Sequence, residues 1–242
     1  MNTLSLFSGI GGLDYGLERA GLNIVGQVEI DPYCRRVLAE RFPGTPTHED
    51  VRTAIAWWRS MRRPAVHLVA GGFPCQDISS AATNGVRAGL IGAKSGLWSA
   101  YRDVVADLGP EWVIVENSPE WRRWVPSVRR DLWALGYASV PLRVSAGSLG
   151  APHPRPRCVV VANSHGQSES LRAIYAEVAG LRPVPTGRGD WREPYTGTLR
   201  VVDGSTRGVD GPRRRAVGNA VVPSLGVLLG RLVTGQFVEG VA

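Results

Sequence analysis

At 242 residues, with 43% hydrophobic and 20% charged side chains, the chain has the composition of one globular domain with at most a small appendage, which excludes a disordered or fibrous protein. Its formal charge of +7 invites a polyanionic partner, although a solvated basic face would give the same total. No apolar run approaches bilayer length, and Met1-Asn2-Thr3-Leu4 does not begin a signal peptide, so a soluble cytoplasmic protein with no membrane partner is expected.

The first 160 residues alternate β-like runs with amphipathic segments, the pattern of a mostly parallel α/β sheet. Thr3–Phe7 reads as a strand, followed by the glycine-rich turn Ser8-Gly9-Ile10-Gly11-Gly12 and a helix from Leu13 to Ala20. Asn23–Glu29 is a second strand, and Pro32 opens a helix to about Phe42. Asp50 can cap a helix running through Ile55 and Trp58. Ala65–Ala70 reads as a buried strand ending in Gly71-Gly72, Ser95–Leu108 as a helix, and Glu111–Val115 as a strand. Glu120–Leu135 is helical with a break at Pro126, where Ser127 can cap the second piece. Tyr137–Ser145 and Cys158–Ala162 are the last strand candidates. Residues 163–215 are rich in Gly, Pro, Arg and Ser with little periodicity and read as a small irregular subdomain or a long loop. Pro223–Val233 returns to helical spacing and is expected to pack back on the sheet.

Charge is unevenly spread. Residues 1–60 carry six arginines against seven acids, whereas residues 182–215 carry eight arginines against four acids. Only Lys94 among the 28 basic residues is a lysine, so a general preference for arginine competes with a nucleic-acid surface as the explanation.

Five constellations carry chemistry. The glycine turn lets backbone approach a ligand beside a helix N-terminus. It departs from the dinucleotide fingerprint, because Asp14 stands at the third glycine's place. Glu29, 18 residues beyond Gly11, sits where a carboxylate can accept from ribose hydroxyls, so the turn reads either as a nucleoside-binding loop or as a structural one. Gly71-Gly72-Phe73-Pro74-Cys75-Gln76 follows a strand, where active-site loops gather, and Cys75 is a candidate nucleophile or an inert buried thiol. Cys34 and Cys158 read as inert; three cysteines provide neither a disulfide framework nor metal-site spacing. Glu116-Asn117-Ser118 ends an apolar strand and can face the same crevice. His153-Pro154-Arg155-Pro156-Arg157 is held extended by its prolines, and Gly218-Asn219-Ala220-Val221-Val222-Pro223 is a turn before the last helix.

Taken in order, these motifs resemble the DNA (cytosine-5) methyltransferase family. The likeness runs through Phe7-x-Gly9-x-Gly11-Gly12, Glu29, Asp50-Val51, Pro74-Cys75-Gln76 and Ser79. It continues with Ser95-Gly96-Leu97-Trp98, Glu116-Asn117, Arg155-x-Arg157 and Gly218-Asn219-Ala220-Val221. It covers residues 1–162 and about 212–235. His153 stands where the family usually has Gln, and Ser118 where it often has Val. A short variable region, about 163–211, lies between.

The resemblance implies a Rossmann-like fold with a catalytic and cofactor-binding domain over 1–162, a target-recognition region over 163–211, and a segment 212–242 returning to the catalytic domain. It implies methyl transfer from S-adenosyl-L-methionine to carbon 5 of a flipped-out cytosine in duplex DNA at a specific sequence, through a covalent cysteine adduct. Cys75 would be the nucleophile, with Pro74 and Gln76 beside it. Glu116 would protonate N3, Arg157 would bond O2, and Arg155 and Asn117 would support that network. The cofactor would be held by Phe7, Gly9, Gly11, Gly12, Leu13, Glu29, Ile30, Asp50, Val51, Leu97, Asn219 and Val221. Ser79, Arg182, Arg188 and Arg200 would contact DNA. A monomer is expected, with a cognate restriction endonuclease as a possible partner. The alternatives are a transfer-RNA methyltransferase of the same fold, which typically has a second proline where Phe73 stands, and a non-catalytic DNA-binding relative. A cysteine hydrolase is a more distant one, limited to His48, His67, His153 or His165 as its base.

Overall fold

The computed structural model describes residues 1–74, 97–151, 153–164, 166, 168–181, 213, 216 and 218–236. Cys75, Gln76, Ser79, Arg182, Arg188 and Arg200 lie outside them.

A seven-stranded sheet organises the chain, in the order β3-β2-β1-β4-β5-β7-β6. Strands β1 (Asn2–Leu6), β2 (Asn23–Val28), β3 (Thr47–His48), β4 (Leu68–Gly72) and β5 (Trp112–Asn117) run parallel to one another. β7 (Pro156–Asn163) runs antiparallel to both β5 and the edge strand β6 (Ala138–Ser145). A mostly parallel α/β sheet is therefore present, with β7 as its one reversed strand.

Strand alternation divides the core between the two faces. Leu4, Leu6, Val69, Val113 and Val115 pack with Trp58, Tyr101 and Trp124 on one side. Helices α3 (Ala54–Arg59), α4 (Leu97–Leu108) and α5 (Val125–Ala134) cover that side. Ala70, Ile114, Val159 and Val161 pack with Leu17, Leu38, Ile174 and Leu225 on the other. That side is covered by α1 (Gly12–Arg19), α2 (Pro32–Arg41), α6 (Ser168–Gly180) and α7 (Pro223–Val233).

Local chemistry sets several boundaries. The Asp31 carboxylate accepts from the Tyr33 and Cys34 amides at 2.8 and 3.3 Å, with Pro32 in the first turn of α2. The Asp50 side chain likewise accepts from the Arg52 amide, but the segment begins as a 3-10 turn (Val51–Thr53) before α3. Pro126 does not break a helix: it occupies the first turn of α5, and Ser127 lies inside the helix rather than capping it. The stretch read as irregular contains α6, whose Leu171, Ile174 and Val178 face the core at a spacing of three and four.

The last helix, α7, reaches the sheet through α1. Both helices carry glycine where their backbones meet: a Cβ at Gly16 would stand 2.1 Å from the Pro223 carbonyl oxygen, and one at Gly226 would stand 2.5 Å from that of Leu13. The outer edge of β6 is already occupied in part. Arg129 from α5 donates Nε to Ser139 Oγ and Nη2 to the Ser139 carbonyl, both at 3.2 Å, and Pro141 two residues on carries no N–H.

Candidate active site

The carboxyl ends of β1, β2, β4 and β5 open on one crevice, as expected for an open parallel sheet. β1 ends at Leu6, and the chain turns through Phe7 (φ 54°), Gly9 (φ 56°) and Gly11 (φ 78°) into α1. Phe7 is held in a region that costs a non-glycine residue energy, a form of strain concentrated at functional sites. Its ring stacks on Tyr101 at 6.4 Å.

Glu29 follows β2 and braces this turn. One carboxylate oxygen accepts from the Gly9 amide at 2.7 Å and the other from the Asp31 amide at 2.8 Å. Burial raises its pKa, and the two amide bonds oppose the rise. The side chain is thus fixed at the strand's end, with lone pairs left for further donors.

A cavity beneath the turn joins two motifs far apart in sequence. Phe7, Gly9 and Leu13 line one side, Gly71, Gly72 and Glu116 another, and Asn219, Ala220 and Val221 a third. Gly12 permits this closure, since a Cβ there would lie 2.1 Å from the Val221 carbonyl oxygen. Of the other expected cofactor contacts, Ile30 is 66% exposed beside Glu29, Val51 is buried, and Leu97 packs partly buried against the core. The Asp50 carboxylate is engaged by the Arg52 guanidinium, which lowers its pKa.

Glu116 lies on β5 opposite Gly72 of β4 and Val159 of β7. Gly72 makes room for it, because a Cβ there would meet Glu116 Oε2 at 2.5 Å. Arg157 Nε pairs with Glu116 Oε1 at 2.7 Å. Burial raises the Glu116 pKa despite the opposing pull of Arg157 and Arg155. A buried carboxyl with a raised pKa can hold and donate a proton near neutral pH.

Asn117 acts on the neighbouring strand. Its Nδ2 donates to the Phe73 carbonyl at 2.9 Å while its Oδ1 accepts from Ser118 N at 2.7 Å. Phe73 is clasped between Trp98 and Trp124, with ring centroids at 5.8 and 5.9 Å. The backbone is therefore anchored up to Pro74, one residue before Cys75. Arg155 does not join Glu116 directly: its Nη2 donates to the Gly218 and Ala220 carbonyls at 2.7 and 2.8 Å. Cys34 and Cys158 are buried, and burial pushes the Cys34 thiol up to about 12, away from nucleophilic use.

Sequence reasoning passed over one member of the site. Asp14, fully buried and lining the cavity, accepts from Ser5 Oγ at 2.6 Å and Gln27 Nε2 at 2.7 Å. Ser8 Oγ donates to Ser5 Oγ at 2.8 Å and so ties the network to the glycine turn. The signal was an aspartate on the inward face of an amphipathic helix. Burial pushes its pKa up to about 6. The unfolded chain ionises near pH 4, so as pH rises from about 4 to 6 it releases this proton before the folded protein does. Stability should therefore fall over that window, by roughly 3 kcal/mol from this group, and recover on acidification. Urea unfolding from pH 4 to 7 should show a steeper pH slope for the parent than for Asp14→Asn; equal slopes would refute the assignment.

Among the described residues there is no cluster of metal-ligating side chains and no helix long and apolar enough to cross a membrane. The sequence matches the C-5 cytosine-specific DNA methylase family over residues 1–205. It is 33% identical over 175 residues to the type II methyltransferase M2.BsuMI of Bacillus subtilis, covering 67% of this chain and 42% of that protein. To the type II methyltransferase M.AquIA of a Picosynechococcus it is 30% identical over 214 residues, covering 76% and 84%. The fold matches that of the Entamoeba histolytica methyltransferase EhMeth with a TM-score of 0.66 over 99% of both chains, at 17% identity. With the glycine turn, Glu29, Glu116 and Arg157 gathered at the carboxyl ends of a Rossmann-like sheet, the chain belongs to the C-5 cytosine-specific DNA methylase family.

Proposed function

We propose that the chain methylates carbon 5 of a flipped-out cytosine in duplex DNA, at a specific sequence, with S-adenosyl-L-methionine as methyl donor and Cys75 as nucleophile. The observation that carries this reading is Glu116: a buried acid paired with Arg157, lining the cavity that also meets the glycine turn.

The residues around that cavity fit the cofactor. Glu29, with both oxygens pinned by backbone amides, offers its remaining lone pairs to ribose hydroxyls. Phe7 and Leu13 offer apolar surface, the N-terminus of α1 favours a carboxylate, and Asn219 and Val221 close the far side. When bound, S-adenosyl-L-methionine supplies an electrophilic methyl group.

Carbon 5 of cytosine is a weak nucleophile until the ring is activated. The Cys75 thiolate adds to carbon 6, and Glu116 delivers a proton to N3 as negative charge develops there. Arg157 holds Glu116 in place and can donate to the base's O2 as well. After methylation, loss of the carbon 5 proton to a base expels Cys75 as thiolate, and return of the N3 proton to Glu116 restores the neutral aromatic base. A stacked base cannot be reached in this way, so the target must leave the duplex. Arg182, Arg188 and Arg200, with the rest of residues 163–211, are assigned to phosphate and base contacts, and Ser79 to the DNA backbone.

The test is incorporation of labelled methyl from S-adenosyl-L-methionine into mixed-sequence duplex DNA and, separately, into transfer RNA. Label in DNA, located at one sequence by bisulfite sequencing, is the expected result. Label in RNA alone would transfer the activity to that substrate. No label, with cofactor binding intact, would overturn the catalytic reading.

A further inference from the structure

Two arginines precede or open β7, and the structure gives them different partners. Arg157 is taken by Glu116. Arg155 turns the other way, with its backbone at φ 25°, in the region that favours glycine. Its Nη2 bridges the carbonyl oxygens of Gly218 and Ala220, 63 and 65 residues further along the chain.

Those carbonyls flank Asn219. The strap Gly218–Val221 forms one wall of the cavity beneath the glycine turn, so Arg155 holds that wall without lining the cavity itself. The other end of the strap is set by Gly12, whose missing Cβ leaves room for the Val221 carbonyl. The strap is thus fastened twice, once by backbone contact with α1 and once by the guanidinium. The second fastening has an electrostatic cost: burial and the neighbouring Arg157 both disfavour the Arg155 charge. Two charge-assisted bonds to carbonyls offset that cost, and they are stronger than neutral ones.

We propose that Arg155 is a positioning residue for the cofactor, a clasp that holds Asn219 and Val221 against S-adenosyl-L-methionine, rather than a member of the base-activating pair. The proposal rests on the reading of this cavity as the cofactor site.

The test uses the full chain and S-adenosylhomocysteine as probe, by calorimetric titration of the parent, Arg155→Met and Arg155→Lys. Methionine keeps much of the apolar stem and removes every donor, whereas lysine can still donate to one or both carbonyls. The expected result is a loss of about tenfold or more for Arg155→Met, as for removal of charge-assisted bonds, with partial recovery in Arg155→Lys. Amide exchange should quicken over the strap in Arg155→Met while β1, β4 and β5 keep the parent's protection. A parent that binds with Arg155→Met binding equally well overturns the clasp. Exchange that quickens throughout the sheet overturns it too, since Arg155 would then support the fold as a whole. A parent that does not bind the probe overturns the cavity's assignment, and the clasp with it.

Discussion

Methyl transfer should disappear in Cys75→Ala and fall about 10²–10⁴-fold in Glu116→Gln, with duplex binding retained in both. The two losses differ in kind. Without the thiolate there is no addition at carbon 6, so no activated ring forms. With glutamine at 116 the ring can still be attacked, but the side chain has no acidic proton to deliver to N3. The amide keeps the shape and the room provided by Gly72, and its oxygen can still accept from Arg157. Single-turnover rates with labelled cofactor measure the effect. Because burial holds the Glu116 carboxyl protonated to higher pH than usual, the parent's rate should decline as pH rises through that elevated pKa, and Glu116→Gln should lack the decline. A Glu116→Gln enzyme within a few-fold of the parent would remove Glu116 from the proton's path.

The largest structural loss is expected from Gly16→Ala. In an exposed helix this change adds up to about 1 kcal/mol of stability. Here the new methyl group would stand 2.1 Å from the Pro223 carbonyl oxygen, 2.6 Å from the Gly226 Cα and 2.8 Å from the Val227 amide nitrogen. All three are backbone atoms, so no side chain can swing aside and α7 as a whole must move away from α1. Overpacking of this kind costs about 1–3 kcal/mol and more when rigid elements are forced apart. Urea unfolding should place Gly16→Ala about 3 kcal/mol below the parent. Gly180→Ala, at the end of α6 with open space around its would-be Cβ, should change stability by less than about 1 kcal/mol. Cofactor affinity should fall with Gly16→Ala as well, because Val221 lies just ahead of α7 and lines the cavity. Equal stability of the two variants would mean that α7 docks more loosely than its glycine contacts imply.

Where a local rule fixes the conformation, the sequence was legible. Proline in the first turn and apolar spacing locate α7 at Pro223–Val233, as the pattern predicts. The short apolar runs of β1, β2 and β5 are equally plain, and Glu29 and Glu116 stand at strand ends as their positions imply. Strand direction is not a local property, so the reversal of β7 could not be read from Val159–Ala162. The two residues of β3 are too few to carry a period. Pro126 was ambiguous in principle: the same ring that ends one helix starts another, and the 3-10 turn Trp121–Arg123 decides between them. In the site, Arg155 could be named but not aimed, since its carbonyl partners lie more than 60 residues away. Asp14 was legible only as a departure from a glycine motif, because its partners Ser5 and Gln27 come from two different strands.

The outer edge of β6 bears on how this sheet behaves beside other chains. An incoming strand needs alternating acceptors and donors along the edge it joins. At Ser139 the acceptor is already bonded to Arg129, and at Pro141 there is no donor to give. Two consecutive outward positions of the eight-residue strand therefore each offer an incoming strand one ladder partner fewer. An incoming strand would forfeit a bond at each of these two positions, which disfavours edge-to-edge growth along this part of β6. A chain meeting this part of the edge would therefore gain less from backbone pairing, and concentrated stocks of the protein should be less inclined to β-aggregation through it.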